Sequence, residues 1–320
     1  MEKLTRLLAH LPIQERSQAA EARRIAIHLA NKLGLSEEQA GKVGVVVTEA
    51  ATNMLKHARG SEILLSSSGS SLQMLAIDRG PGMNVAACLR DGYSTSGTAG
   101  SGLGAMKRLS DSFDIFSNHT GTVVWAEFGP HTSGYGAARV PFKGEQVCGD
   151  AWSIVEKGGA VWILVADGLG HGEFAALAAD RAVQAFENSR FDTVTGVMEE
   201  IHSALRATRG AAVAIAEVRN SVVNYCGLGN ISGVLHSGTS NIHLVSFSGT
   251  AGVEARKIGS FTYTWRPGAI MVMHSDGLQS QWGLEGYPGV IKHNPAIIAG
   301  LLYRDYSRGR DDVTVLAVRQ

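Results

Sequence analysis

Apolar residues recur at helical spacing in the first sixty positions, which predicts two helices ahead of any strand. Residues 17–33 are rich in alanine with spaced isoleucine and leucine. Ser36-Glu37-Glu38-Gln39 then has the form of a capping box. The helix it opens carries Val43, Val46, Val47, Ala50, Met54 and Leu55 as an apolar stripe, and Arg59-Gly60 predicts its end through a left-handed cap. Short strands are expected at 63–66 and 72–78, a Gly-rich loop at 92–104, a helix from about Leu103, and strands at 113–116 and 123–128. The segment 129–136 (GPHTSGYG) has linker composition. Beyond it the pattern restarts with a strand at 161–165, helices at 173–187 and 193–207, and strands at 212–218, 222–226, 231–235, 269–274 and 313–318. No internal repeat is present. A strand-rich core with helices inserted early in each half predicts an α+β class, with domains at 1–130 and 140–320 joined by a linker at 131–139.

Composition narrows the function. The 320 residues are 44% hydrophobic and 18% charged, with zero formal net charge. Residues 1–130 hold 13 Lys+Arg against 12 Asp+Glu, and the remainder 16 against 17, so neither half offers the basic field of a nucleic-acid binder. Cys88, Cys148 and Cys226 match no zinc spacing and leave an odd thiol, as expected in a reducing compartment. The chain shows no signal-peptide pattern and no apolar run of the roughly 18 residues that a membrane span needs. A cytoplasmic protein is expected.

In the first half, Glu49, Asn53 and His57 are spaced i, i+4, i+8 and share one helix face. Asp78-Arg79-Gly80-Pro81-Gly82 follows a strand, so an acceptor and two flexible residues meet at its end. Gly100-Ser101-Gly102-Leu103-Gly104 opens a helix, where free N–H groups can hold phosphate. Each signal alone is common in turns and solvated faces. Together, the segments 48–60 (TEAATNMLKHARG), 78–83 (DRGPGM) and 91–104 (DGYSTSGTAGSGLG) closely resemble the GHKL (Bergerat) ATPase fold, and within it the RsbT/RsbW-type switch and anti-sigma kinases of bacteria. The resemblance implies that Asn53 ligates the Mg²⁺ of ATP and that Glu49 is the general base toward a partner's Ser or Thr hydroxyl. It implies that Asp78 accepts from the adenine amino group, with Gly80 and Gly82 shaping the pocket. Gly100, Gly102, Leu103 and Gly104 would cap the phosphates, and residues 92–99 would form a lid. For His57 a structural role is the ordinary expectation.

The second half carries Gly149-Asp150, Asp167-Gly168-Leu169-Gly170-His171-Gly172, Ser275-Asp276-Gly277 and Asp311-Asp312-Val313-Thr314. Asp167 and Asp276 end apolar runs, and Asp311 precedes one, so the carboxylates can converge on one pole of a sandwich. Crowded carboxylates repel unless cations neutralise them, and an all-carboxylate set favours Mg²⁺ or Mn²⁺ over zinc. The set resembles the SpoIIE/RsbX branch of the PPM (protein phosphatase 2C) family, an α-β-β-α sandwich. That resemblance implies Asp150, Asp167, Asp276 and Asp311 as metal ligands, with Asp312 the alternative to Asp311, and a backbone carbonyl from Gly168. His171 is expected to hydrogen-bond beside the site or to donate a proton. The expected function is a bifunctional regulator: an ATP-dependent Ser/Thr kinase joined to a metal-dependent phosphoserine/phosphothreonine phosphatase. Its partners by resemblance are STAS-type anti-anti-sigma or stressosome proteins, a sigma factor, or a downstream switch protein. The alternative is a phosphatase whose first half is an ATP-binding sensor or docking module without kinase turnover.

Overall fold

The computed structural model describes residues 5–58, 60–89, 102–130, 134–237 and 240–319. The chain divides into two compact units. One contains Thr5–Ser133 and Glu285–Asp305, the other Gly134–Leu284 and Tyr306–Gln320.

In the first unit, strand β1 (Thr5–Ile13) precedes helices α1 (Arg16–Lys32) and α2 (Glu37–His57). The capping box forms as expected: Ser36 Oγ accepts from Gln39 N at 3.2 Å, and Gln39 Oε1 accepts from Ser36 N at 3.0 Å. Such a cap contributes about 1 kcal/mol. Strands β2 (Ser61–Ser68) and β3 (Ser71–Ile77), short helices α3 (Val85–Cys88) and α4 (Gly102–Leu109), and strands β4 (Ser112–Asn118) and β5 (Gly121–Phe128) complete the unit's continuous part. The sheet runs β1-β2-β3-β5-β4, antiparallel throughout. Val43, Val46, Val47 and Met54 of α2 pack with Ala22, Ala26 and Ala30 of α1 over Ile63, Leu65, Met74, Val124 and Ala126. The α2 stripe read from the sequence is therefore the core-facing stripe. The strand β1 was not visible to pattern reading, because its Thr-Arg-Leu-Leu-Ala-His order does not alternate.

The second unit begins with β6 (Tyr135–Val140), which overlaps the stretch read as linker at 131–139. Tyr135, Ala138 and Val140 are buried, and β6 pairs with the last strand of the chain. A pairing so remote in sequence leaves no local signal. The unit continues with β7 (Asp150–Lys157), β8 (Ala160–Gly168), α5 (Glu173–Asn188), α6 (Val194–Ala204), β9 (Ala211–Arg219), β10 (Val222–Leu228), β11 (Ser232–His236), β12 (Asn241–Leu244), β13 (Ser246–Phe247), β14 (Phe261–Thr264) and β15 (Ile270–His274). Helix α7 (Pro295–Tyr306) and strand β16 (Val313–Arg319) end the chain. Two sheets form, β13-β10-β9-β8-β7 with β14 on β10, and β12-β11-β15-β16-β6. Ile154, Ile163, Val165 and Tyr225 of one sheet pack with Leu235, Met271, Met273 and Leu316 of the other as a single core. Helices α5 and α6 cover the opposite face of the β7–β10 sheet through Ala179, Ala182, Phe186, Val197 and Ile201. The α+β class and the two sandwich modules stand as read.

Helix α7 is the departure. By sequence it lies within the second module, yet residues 285–305 group with the first unit. All seven residues of β3 are buried, although only Leu72, Met74 and Ala76 join the α1/α2 core. Gly300 packs against Val123 and Leu75, residues of the other sheet face. The first unit's sheet is thus covered on both faces. Among the described residues, no helix is long and apolar enough to cross a membrane.

Candidate functional site

In the first unit, α2 presents Glu49 and Asn53 half-buried and His57 exposed. Glu49 and Asn53 face the start of α4. An ideal Cβ on Gly102 would stand 2.9 Å from Glu49 Oε2 and 3.6 Å from Asn53 Nδ2, so a bare backbone is what lets the two elements approach. The first N–H groups of α4, at Gly102, Leu103 and Gly104, have no acceptor within the helix, as at any helix N-terminus. Gly100 and the expected lid at 92–99 lie outside the described residues.

Asp78 follows β3. Its Oδ1 accepts from the backbone N–H of Gly80 at 2.8 Å and of Thr122 at 3.1 Å. Gly82 has φ +74°, and a Cβ there would meet the Asn118 carbonyl oxygen at 1.9 Å. Gly121 answers it, since a Cβ there would meet the Asp78 carbonyl oxygen at 2.0 Å. Met83 N donates to Ser117 Oγ at 2.9 Å, and Ser117 and Thr122 hydroxyls pair at 2.9 Å. The β4–β5 turn is therefore the floor of the Asp78–Met83 loop. Gly121, Ser117 and Thr122 were not singled out from the sequence. Asn118-His119-Thr120-Gly121 reads only as a turn, and what it supports is forty residues away. A separate groove of about 900 Å³ between α1 and α2 is lined by Arg16, Arg23, Arg24, Thr48, Thr52 and Lys56 among others; it includes none of Glu49, Asn53 or Asp78.

In the second unit, the β7–β8 register sets Asp150 opposite Asp167. Asp276 follows β15, and Asp311-Asp312 precedes β16, its antiparallel neighbour. Ser275 fastens the two sheets: its hydroxyl donates to Asp150 Oδ2 at 2.6 Å and accepts from Thr314 N at 2.9 Å. Burial pushes the Asp167 carboxyl well above the usual carboxylate range, and Asp150, Asp276, Asp311 and Asp312 push it further by repulsion. Asp150 is raised by burial, with the Ser275 hydrogen bond opposing and Asp312 adding to the rise. Asp276 is raised by burial and then by Asp311, with Arg308 opposing. The four sequence-expected aspartates thus occupy one electrostatic neighbourhood. Asp311 Oδ1 accepts from Asp312 N at 2.9 Å. Asp312 is buried and its Oδ1 accepts from Phe142 N at 2.8 Å.

Among the described residues, no three His, Cys, Asp or Glu side chains stand close enough together to hold one ion. The donor chemistry nonetheless fits a divalent cation. Asp150 Oδ1 is buried without a hydrogen-bond partner among the described residues, and Asp150, Asp276, Asp311 and Asp312 all repel the Asp167 carboxylate, a repulsion that a divalent cation would offset. Gly168 packs tightly on the start of α5: a Cβ there would sit 2.0 Å from the Ala175 carbonyl oxygen, and its N–H donates to Gly149 O at 3.0 Å. Gly277 is equally constrained, since a Cβ there would sit 2.0 Å from the Asp312 carbonyl oxygen. Pattern reading did not assign a role to Gly149, Gly277, Ser275 or Thr314, although each stands beside an acidic residue that it did single out. His171 Nδ1 pairs with Glu145 Oε1 at 2.7 Å, and its ring lies against Phe142.

His274, just before Ser275, is buried and neutral. Its Nδ1–H donates to Ser275 O at 2.8 Å, while Nε2 accepts from Trp282 Nε1 at 3.0 Å. Burial lowers its pKa from 6.5 to about 4. Because the folded pKa is depressed, an unfolded chain takes up a proton first as pH falls below 6.5, and stability is lost between there and about 4. Denaturant midpoints should show the wild type losing about 2 kcal/mol relative to His274→Gln between about pH 7.5 and about pH 5. An unchanged pH slope in the variant would refute the assignment.

Comparison with known proteins finds a match in each half of the chain. Residues 12–128 match the family described as histidine kinase-like ATPase domain, and residues 157–320 match stage II sporulation protein E (SpoIIE). The phosphoserine phosphatase RsbX of Bacillus subtilis (strain 168) is 27% identical over 139 residues, 42% of this chain and 70% of that protein. The serine/threonine-protein kinase RsbT of the same organism is 32% identical over 101 residues, 30% of this chain and 76% of that protein. A solved structure described as "The bacterial stressosome: a modular system that has been adapted to control secondary messenger signaling" is 28% identical, with a TM-score of 0.54, covering 59% of this chain and all of that one. The chain belongs to the SpoIIE family of PPM phosphatases and carries, ahead of that module, a histidine kinase-like ATPase domain of the RsbT type.

Proposed function

We propose that this chain both adds and removes phosphate on a Ser or Thr of a STAS-domain partner. The observation that carries the hydrolytic half of the reading is that the β7–β8 register sets Asp150 opposite Asp167 while Ser275, the neighbour of Asp276, hydrogen-bonds Asp150. Asp150, Asp167, Asp276, Asp311 and the Gly168 carbonyl would hold Mg²⁺ or Mn²⁺. When bound, such ions supply Lewis acidity for in-line hydrolysis of a phosphomonoester. The chain's own part is to fix the carboxylates: Ser275 holds Asp150, and the β7–β8 register holds Asp167 against it. Hydrolysis returns the partner's hydroxyl and inorganic phosphate.

In the first unit, Asn53 would offer its amide oxygen to the Mg²⁺ of ATP, a hard ion that takes oxygen ligands. Asp78, with Oδ1 occupied by two backbone amides, offers Oδ2 to the adenine amino group. Gly100, Gly102, Leu103 and Gly104 would receive the phosphates, and Glu49 would take the proton from the partner's hydroxyl as it attacks. The similarity to RsbT and RsbX supports a partner of the kind switched by reversible phosphorylation. One chain carrying both activities raises the effective concentration of each at a shared partner.

The test supplies radiolabelled ATP, Mg²⁺ or Mn²⁺ and a purified STAS-domain protein, then chases with unlabelled ATP. Label should enter the partner and leave it again as phosphate. ATP binding without transfer, alongside hydrolysis of a pre-phosphorylated partner, would replace this reading with a phosphatase controlled by a nucleotide-binding docking module.

A further inference from the structure

The end of α7 stands against the turn that supports the Asp78 loop. The Arg304 side chain is fully buried. Its Nη2 donates to Thr120 Oγ1 at 2.6 Å and to Asn118 Oδ1 at 3.1 Å. Both acceptors belong to the β4–β5 turn. Asp305 fixes the guanidinium by accepting from its Nε at 2.8 Å and from Nη2 at 2.7 Å, and is itself fixed by the Tyr287 hydroxyl at 2.7 Å. On the loop's other flank, Arg79, the residue after Asp78, donates through Nη2 to the Arg304 carbonyl at 3.2 Å. Tyr303 donates to Glu62 Oε2 at 2.9 Å, and Arg79 also reaches Glu62 Oε1 at 3.4 Å. At its start, the same segment is anchored by Asp114, which accepts from Asn294 N at 2.6 Å and meets His293 Nδ1 at 2.9 Å.

These contacts form a chain of fixed groups. Arg304 holds the side chains of Asn118 and Thr120. The Asn118 carbonyl presses on Gly82, and Gly121 lies under the Asp78 carbonyl. The Thr122 amide sets Asp78 Oδ1. A buried cation held by side chains of three residues, Asn118, Thr120 and Asp305, strongly resists moving, because an unpaired buried charge is far more costly than a paired one.

We infer that Arg304 is a positioning residue of the nucleotide pocket, orienting Asp78 toward the adenine amino group through the β4–β5 turn. This rests on the reading of Asp78 as the adenine acceptor. Arg304 stands in the sequence between Asp276 and Asp311, inside the stretch that matches SpoIIE. The ATPase domain therefore depends on a segment supplied by the phosphatase part of the chain for its full base recognition. The same segment leaves and rejoins the phosphatase between two of its acidic positions, so the two sites share one covalent span.

The test uses the full chain and compares Mg-ATP with Mg-inosine triphosphate, whose base carries a carbonyl where adenine has its amino group. The wild type should prefer ATP. Arg304→Ala should weaken ATP binding by about tenfold, the scale of a hydrogen bond to a charged group, and leave inosine triphosphate nearly unchanged. The ATP preference then collapses. A general loss of packing would weaken both nucleotides alike. Thr120→Val, which removes a single acceptor on the surface turn, should move the ratio the same way by a smaller factor and is decisive if Arg304→Ala does not fold. A wild type that prefers ATP and variants that keep this preference overturn the inference alone. A wild type that binds neither nucleotide removes the adenine reading and the inference with it.

Discussion

Asp167→Asn is expected to cut hydrolysis of a phosphorylated partner by at least about a hundredfold, the scale on which metal sites respond to loss of a supporting group. The substitution keeps shape and removes charge. Asp167 is the carboxylate most burdened by its surroundings, desolvated and facing Asp150, Asp276, Asp311 and Asp312. Removing its charge relieves that burden when no cation is bound. The variant should therefore melt at the same temperature as the wild type or higher in chelator near neutral pH. The wild type should gain stability when Mg²⁺ or Mn²⁺ is added, by mass action on the folded state, and the variant should gain less. Activity thus falls while the thermal midpoint holds or rises, which a misfolded variant could not produce. Full hydrolysis by Asp167→Asn would dismiss the acidic cluster as the phosphatase site.

Asn53→Ala is expected to lower Mg-ATP affinity by about tenfold or more, and to abolish the difference between binding with and without Mg²⁺. Glu49→Gln separates from it. The two side chains are one helical turn apart and share the face that meets Gly102. If Glu49 moves a proton and Asn53 holds the metal, Glu49→Gln leaves nucleotide affinity nearly intact and slows phosphate transfer by about a hundredfold or more. Calorimetric titration with Mg-ATP measures the first, and transfer of labelled phosphate to a STAS-domain protein the second. Equal effects of both substitutions on binding would deny them distinct roles.

Much of the molecule was legible because its signals are local. The Ser36 capping box needs four residues, and it forms with the expected pair of hydrogen bonds. The α2 stripe needs one helix, and it faces the core. Asp167 and Asp276 were readable because each ends an apolar run, and a strand carries its last side chain to the sheet edge. The Gly-rich positions were readable as places of close approach, though not what approaches. Gly82 was read as shaping a pocket, and its immediate neighbour is the Asn118 carbonyl.

What was not legible depends on partners far away in the chain. Strand β6 looked like a linker because its pairing partner is β16, some 175 residues on. Ser275 carried no assigned role beside Asp276, and it proves to tie Asp150 to Thr314. Helix α7 was missed altogether. Its residues Pro295–Arg304 are all buried, so it lacks the polar face that makes a surface helix recognisable.

The amino-acid sequence by itself determined the two modules, their α+β character and the acidic, amide and glycine positions of both candidate sites, since periodicity and residue chemistry are properties of short segments. Only the tertiary structure decided that Asp150 stands opposite Asp167, that the β4–β5 turn underlies Asp78, and that residues 285–305 complete the first unit. Those facts arise from burial and hydrogen bonding between segments distant in the chain, and such energies are set by which surfaces meet, not by any one segment's own preference.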